Sequence, residues 1–209
     1  MSAEHKKKVI LALAPHPDDL EIGCGGTLAE HARRGDAVHV FVSTFGDVGG
    51  VPEVRQAEQQ QASDILGVTE VHWGGFLDTQ LPQQAAALMD ALEKLIAQVQ
   101  PDTVYVNYGE DTHQDHRVLA QVARSVTRYV PNVLYYETPS STGFEPSVFM
   151  DIYDVLSSKI QALEAHASQV NATHVCLNIL DIALATARFR GVQGKLSCAE
   201  AFVPVRMRL

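Results

Sequence analysis

Short apolar, β-branched runs alternate with longer stretches of helical period through the first two thirds of the chain. Lys8–Ala14, Ala37–Thr44, Val68–Gly74 and Thr103–Tyr108 read as strands, because each is a brief hydrophobic run bounded by turn residues. Between them Leu20–Arg34, Glu53–Leu66 and Gln83–Gln100 read as helices, closed in turn by Gly35, Gly67 and Pro101. The pattern then predicts a helix from about Gln114 to Tyr129, a strand at Asn132–Glu137 and a looser region to Met150. A helix at Ile152–His166, a short one near Ile182–Phe189 and a last extended piece at Ala201–Arg206 complete it. Strands alternating with helices imply βαβ crossovers. The expected fold class is therefore α/β: a Rossmann-like, mostly parallel sheet with helices on both faces, in one domain over residues 1–209.

Composition changes this picture little but removes several functions. Hydrophobic residues make up 46% and charged residues 20% of the 209, as in an ordinary globular domain with a full core. A net charge of -9 offers no basic surface for phosphates, so nucleic acid and anionic membrane are not expected as partners. No run approaches the roughly 20 apolar residues of a membrane span. The basic-then-apolar start, MSAEHKKKVILALAP, has too short an apolar stretch for a signal peptide and reads as a first buried strand. Cys24, Cys176 and Cys198 are an odd number without C-x-x-C spacing, which fits a reducing cytoplasm rather than a disulfide framework. The polar run Gln56–Gln61 lies within a helical pattern and reads as a solvated face.

In doubly wound sheets ligands bind beyond the carboxyl ends of the strands. Two clusters of ligand-type side chains stand there: His16-Pro17-Asp18-Asp19 after the first strand, and His113-Gln114-Asp115-His116 after the strand at Thr103–Tyr108. Of the nine histidines only these three keep such company. Imidazole and carboxylate without a thiol suit a catalytic zinc, which takes three protein ligands and leaves a position for water. Either cluster alone reads equally well as helix capping, by Asp18 or Asp19 and by Asp111 or Thr112. Together, at one edge of one sheet, they read as a metal site. Gly23-Cys24-Gly25-Gly26 falls too late for a dinucleotide turn and reads as close packing of helix on sheet.

The segments PHPDDLEIGCGGTLAEHARRG and EDTHQDHRVLA resemble the two signature motifs of the zinc-dependent N-acetylglucosaminyl deacetylases, the LmbE-like or PIG-L-type family. The likeness extends to PEVRQAEQQQASDILGV, FLDTQL, LSSKIQALEAHASQ and the closing ARFRG…CAEAFVPV. It implies that His16, Asp19 and His116 hold Zn2+ and that Asp18 activates the attacking water. It further implies that His113 stabilises the oxyanion as an imidazolium, that Asp115 orients and charges His113, and that Arg55 and Asp78 hold sugar hydroxyls. The implied substrate is a small N-acetylated amino sugar or glycoconjugate, and similar enzymes are often trimers or hexamers, so a homo-oligomer is expected. Two departures stand out: Ser168 to Arg188 holds no Tyr where some members contribute one, Asp181 or His174 standing instead, and Asp47 replaces a frequent Glu after Gly46.

The division of labour also has a physical basis. Adjacent Asp18 and Asp19 do not easily both ligate one ion, which leaves one of them free as a base. His113 and His116 are three apart and share a face if the turn is helical. Two other readings remain: a zinc amidase acting on a larger amide conjugate, and a metal-binding module without catalysis, against which the presence of both Asp18 and His113 speaks. Among the remaining residues, Trp73 reads as core or pocket wall, and His166 and Gln169 as either structural or family-related. His5, His31, His39 and His72 read as surface positions, and Arg188 and Arg190 as organisers of the C-terminal turn.

Overall fold

The computed structural model describes residues 6–170 and 178–208, so His5, His174 and Cys176 lie outside the described residues. Seven strands, β1 (Val9–Ala14), β2 (Ala37–Thr44), β3 (Glu70–Phe76), β4 (Thr103–Asn107), β5 (Asn132–Tyr136), β6 (Val148–Asp151) and β7 (Ala199–Arg206), form one sheet in the order β3-β2-β1-β4-β5-β7-β6. β1 to β5 run parallel, and β7 joins antiparallel between β5 and β6. The helices are α1 (Asp19–Arg33), α2 (Pro52–Leu66), α3 (Ala85–Val99), α4 (Gln114–Val126), α5 (Leu156–Ala165) and α6 (Ile179–Gly194). The expected mostly parallel α/β sheet is what the chain forms. Among the described residues no helix is long and apolar enough to cross a membrane.

Strand residues alternate between two covered faces, as a doubly wound sheet requires. Leu11, Leu13, Phe41, Val104 and Val106 pack with Leu88 and Leu92 of α3 and Leu119 and Val122 of α4. Ile10, Ala12, Val38, Val40 and Val42 pack with Leu20, Cys24 and Leu28 of α1. The chain order reverses between β1 and β4, so α1 and α4 leave the sheet on opposite sides and a crevice opens at the carboxyl ends of those two strands.

Several boundaries differ from the sequence pattern for local reasons. β3 starts at Glu70 rather than Val68, because the Val68 N–H closes the end of α2 on the Ser63 carbonyl. A 3-10 turn, Leu81–Gln84, precedes α3, and another, Tyr153–Val155, precedes α5. β6 falls within the region read as loose, and α6 runs through Gly191 to Gly194, residues that resemble terminators.

The packing role expected of the glycines of α1 is borne out at Gly23, where a Cβ would lie 2.1 Å from Cδ2 of Tyr136. Tyr136 is fully buried and its hydroxyl donates to the Leu13 carbonyl at 2.9 Å, so it has nowhere to retreat. Gly23→Ala is expected to cost about 1–3 kcal/mol of stability, as overpacking does. A denaturant midpoint equal to the parent's would contradict that close approach. Further along α1 the Glu200 carboxylate accepts from the Gly26 and Thr27 amides at 2.9 and 2.7 Å, and Lys159 donates to the Ile22 carbonyl at 2.6 Å. This buried Lys159–Glu200 pair joins α1, α5 and β7.

Candidate functional site

Both clusters read from the sequence arrive at the crevice. Asp18 occupies the N-cap position of α1 with φ 86°, in the left-handed region that an L-residue enters only when its surroundings hold it there. Its surroundings do so: Arg55 donates to the Pro17 carbonyl at 2.8 Å and to Asp18 Oδ2 at 3.1 Å, and the Asp18 amide donates to Gln59 Oε1 at 3.2 Å. The Asp18 carboxylate makes no capping hydrogen bond. That outcome separates it from the capping reading and leaves the carboxylate facing the cavity. Burial pushes its pKa up to about 6, reinforced by the neighbouring Asp19 charge and opposed by Arg55.

Asp19 is the hub. Its Oδ2 lies 3.3 Å from His16 Nδ1 and 3.4 Å from His116 Nε2. Two donors each about 2.0–2.1 Å from a tetrahedral ion are about 3.3–3.4 Å apart, so these separations fit a shared zinc. The second nitrogen of each ring is held by carboxylate. His16 Nε2 lies 3.0 Å from Asp78 Oδ1 and 3.3 Å from Asp115 Oδ2, while His116 Nδ1 lies 3.1 Å from Asp111 Oδ2. A proton on the outer nitrogen fixes the tautomer and leaves the inner one a lone pair, as metal-bound histidines require.

The charge balance points the same way. Burial disfavours the charged form of His16, yet Asp115, Asp19 and Asp78 together raise its pKa well above the ordinary value. Burial likewise opposes His116, but Asp19 and Asp111 carry it up to about 9. Asp19 and Asp111 sit well below the usual carboxylate range despite burial, held there chiefly by His116. A pocket this rich in carboxylate draws a cation between its members.

His113 and Asp115 are adjacent in the first turn of α4 but take different partners. His113 is the N-cap of α4, and its Nδ1 accepts from the Asp115 amide at 3.2 Å. A backbone N–H can only donate, so Nδ1 is unprotonated and the ring proton belongs on Nε2. Burial and the charges of His16 and His116 also lower the His113 pKa. The Asp115 carboxylate does not bond to His113: it accepts from the Thr79 and Leu81 amides at 2.8 and 3.2 Å and faces His16. The Asp115 carboxylate thus packs against His16, while its charge still favours the protonated form of His113 against burial and the two neighbouring histidines.

Arg55 and Asp78 both line the cavity, about 320 Å³, with His16, Asp18, Thr79, His113 and Gln169. Asp78 also accepts from the Val48 amide at 3.0 Å, and Arg55 Nη1 donates to the Gly46 carbonyl at 3.2 Å. Gly46 has φ 67°, and a Cβ there would lie 2.6 Å from the guanidinium, so this turn admits Arg55 only as glycine. Gln169 donates to the Gly49 carbonyl at 3.2 Å across the same mouth. A hollow of about 490 Å³ lined by Ile96, Arg128 and Tyr129 lies at the amino ends of the strands, with no histidine among the described residues that line it.

Sequence reasoning missed several supports. Asp111 accepts from the His113 amide at the start of α4 through Oδ1 at 2.8 Å, and its Oδ2 also lies 3.1 Å from His116 Nδ1 and accepts from Thr138 Oγ1 at 2.8 Å. Gln59 belongs to the polar run whose pattern suggests a solvated face, yet it is fully buried and donates to Glu21 at 2.8 Å, with His166 Nε2 3.4 Å from the other Glu21 oxygen. The i, i+4 spacing of Arg55 and Gln59 is the signal that could have found it. His31 is also buried, against Asp36 and Tyr105, so histidines beside carboxylates are not confined to the two clusters. Trp73 packs partly buried against the core and Phe45, and Arg190 clasps Glu137 through two hydrogen bonds, organising the C-terminal region as expected.

Asp111→Ala is expected to weaken metal affinity about 10–100-fold by freeing the His116 ring. Competition against a chelator measures it; unchanged affinity would remove Asp111 from this role.

The chain belongs to the PIG-L family, described as GlcNAc-PI de-N-acetylase, whose model matches residues 11–127. It is 36% identical over 80% of its length to 95% of an uncharacterized deacetylase of Escherichia coli. A probable N-acetyl-alpha-D-glucosaminyl L-malate deacetylase 2 of Bacillus cereus is 28% identical over 78% of this chain and 84% of its own. A 4-oxalmesaconate hydratase of Pseudomonas putida is 28% identical over 90% of this chain and 82% of its own. The crystal structure of a conserved protein from Thermus thermophilus superposes with TM-score 0.81 and 30% identity over 96% of both chains.

Proposed function

We propose that this protein is a zinc-dependent hydrolase that removes the N-acetyl group from a small amino-sugar substrate. The observation that carries the reading is the position of Asp19 Oδ2, at 3.3 and 3.4 Å from the inner nitrogens of His16 and His116. Those three residues would hold zinc, which supplies polarisation of the amide carbonyl and acidification of water. The family description and the deacetylase names among its relatives supply the substrate class.

The chain's own residues divide the remaining work. Asp18, unused as a cap and held by Arg55, takes a proton from the attacking water and returns it to the departing amine. His113, with Nδ1 committed to the Asp115 amide, offers Nε2–H to the carbonyl oxygen as that oxygen gains charge. Asp115 and Asp78 fix the His16 ring, and Asp111 fixes that of His116. Arg55, Asp78 and Gln169 stand around the mouth, where sugar hydroxyls would be received.

A hydratase reading has one specific support, the Pseudomonas putida relative, and an addition of water to a carbon–carbon double bond could use the same base. Mass spectrometry of a panel of N-acetylated sugars and unsaturated dicarboxylic acids separates the two. Free amine and acetate from an acetamido sugar is the expected result. Hydration of an unsaturated acid, with every acetamido sugar left intact, would overturn the reading.

A further inference from the structure

A second group of metal-ligand type lies away from the crevice. His39 stands opposite Glu70 and Phe41 opposite His72 in the parallel pair β2–β3, so Glu70 and His72, two residues apart, share with His39 one face at the sheet edge. His39 Nδ1 is 3.2 Å from His72 Nε2, and Glu70 Oε2 is 3.6 Å from each. We infer that His39, Glu70 and His72 form a binding site for a divalent late transition-metal ion, separate from the catalytic centre.

The triangle of 3.2, 3.6 and 3.6 Å is close to the spacing of about 3.3–3.4 Å between donors on a tetrahedral zinc. A hydrogen bond between the two rings would account for the first edge alone. It leaves unexplained a carboxylate oxygen equidistant from both nitrogens and beyond hydrogen-bond reach of either. Two imidazoles with one carboxylate select zinc, nickel or copper over magnesium or calcium. The imidazoles are mostly covered, with side chains 17% and 14% exposed, whereas Glu70 is 54% exposed. This arrangement puts the nitrogens inside and leaves a coordination position toward solvent. His39 and His72 are therefore not the incidental surface residues the sequence suggested.

The site is remote from the reaction. His39 lies five residues before Thr44, the carboxyl end of β2, which is about 17 Å along the strand. A bound ion there would tie the edge strand β3 to β2 and leave catalysis untouched, so this inference stands apart from the proposed deacetylation.

Equilibrium dialysis of the full chain against zinc, followed by metal analysis, tests it. The parent is expected to take up one equivalent more than His72→Ala, with turnover of the variant equal to the parent's. Equal zinc uptake by the two proteins overturns the inference. A measurement without a variant guards against a folding defect: zinc should slow acylation of the His39 and His72 rings in the parent, followed by peptide mass mapping. Equal rates with and without zinc overturn it as well.

Discussion

Asp18→Asn is expected to lower kcat by about 10²–10⁴-fold, the usual cost of losing a general base, while the folded protein keeps its metal. The substitution preserves size and the hydrogen bond from Arg55 to a side-chain oxygen, but an amide cannot accept the proton of water. Metal retention is expected because the proposed ligand is the next residue, Asp19. The parent's pH profile should agree. Asp18 works only when ionised, and burial with the Asp19 charge raises its pKa to about 6, so activity is lost as pH falls through about 6. A cation beside Asp19 lowers that limb further, never raises it. An Asp18→Asn variant with near-normal kcat would make another group the base.

His113→Ala should reduce kcat by about 10²–10³-fold, the cost of one lost donor to a developing oxyanion. KM should change far less, because the interaction is strongest in the transition state. Ligand-type atoms of His16, His113 and His116 lie within 4.8 Å of one another, so a three-histidine metal site is the competing assignment. The Asp19 distances are shorter and fit tetrahedral spacing, and one His113 nitrogen is already spent on the Asp115 amide. Metal analysis of the variant decides: zinc retained with kcat lost supports the donor, whereas zinc lost in proportion to activity makes His113 a ligand. On the proposal that His113 donates as a neutral imidazole, Asp115→Asn should act through His16 and metal affinity, without moving a basic limb of the pH profile.

The sequence carried the parallel half of the fold because each central strand is a short apolar run closed by a turn residue, and both faces are buried. It could not carry β6, a strand only four residues long that directly follows a stretch of Pro, Ser and Gly, nor the antiparallel entry of β7, whose direction depends on β5 and β6 rather than on its own pattern. In the site, His16, Asp18, Asp19, His113, Asp115 and His116 were legible because ligand-type residues crowd two strand ends. Their partners were not. Asp111 fits a cap as well as an anchor in sequence, and Glu200 reaches Gly26 across 174 residues. Adjacency along HQDH points Asp115 to His113, whereas the first turn of α4 sends its carboxylate to His16.

Metal-dependent deacetylation is tested by withdrawing and restoring the metal. Amine release from an N-acetylglucosamine conjugate is followed with the protein as isolated, after chelation and dialysis, and after zinc is restored, alongside His116→Ala treated in the same way. In the parent, turnover should be abolished by chelation and recovered with zinc, with little metal and little turnover in His116→Ala at any stage. Turnover that survives complete removal of metal, or His116→Ala with the parent's metal content and rate, would contradict it.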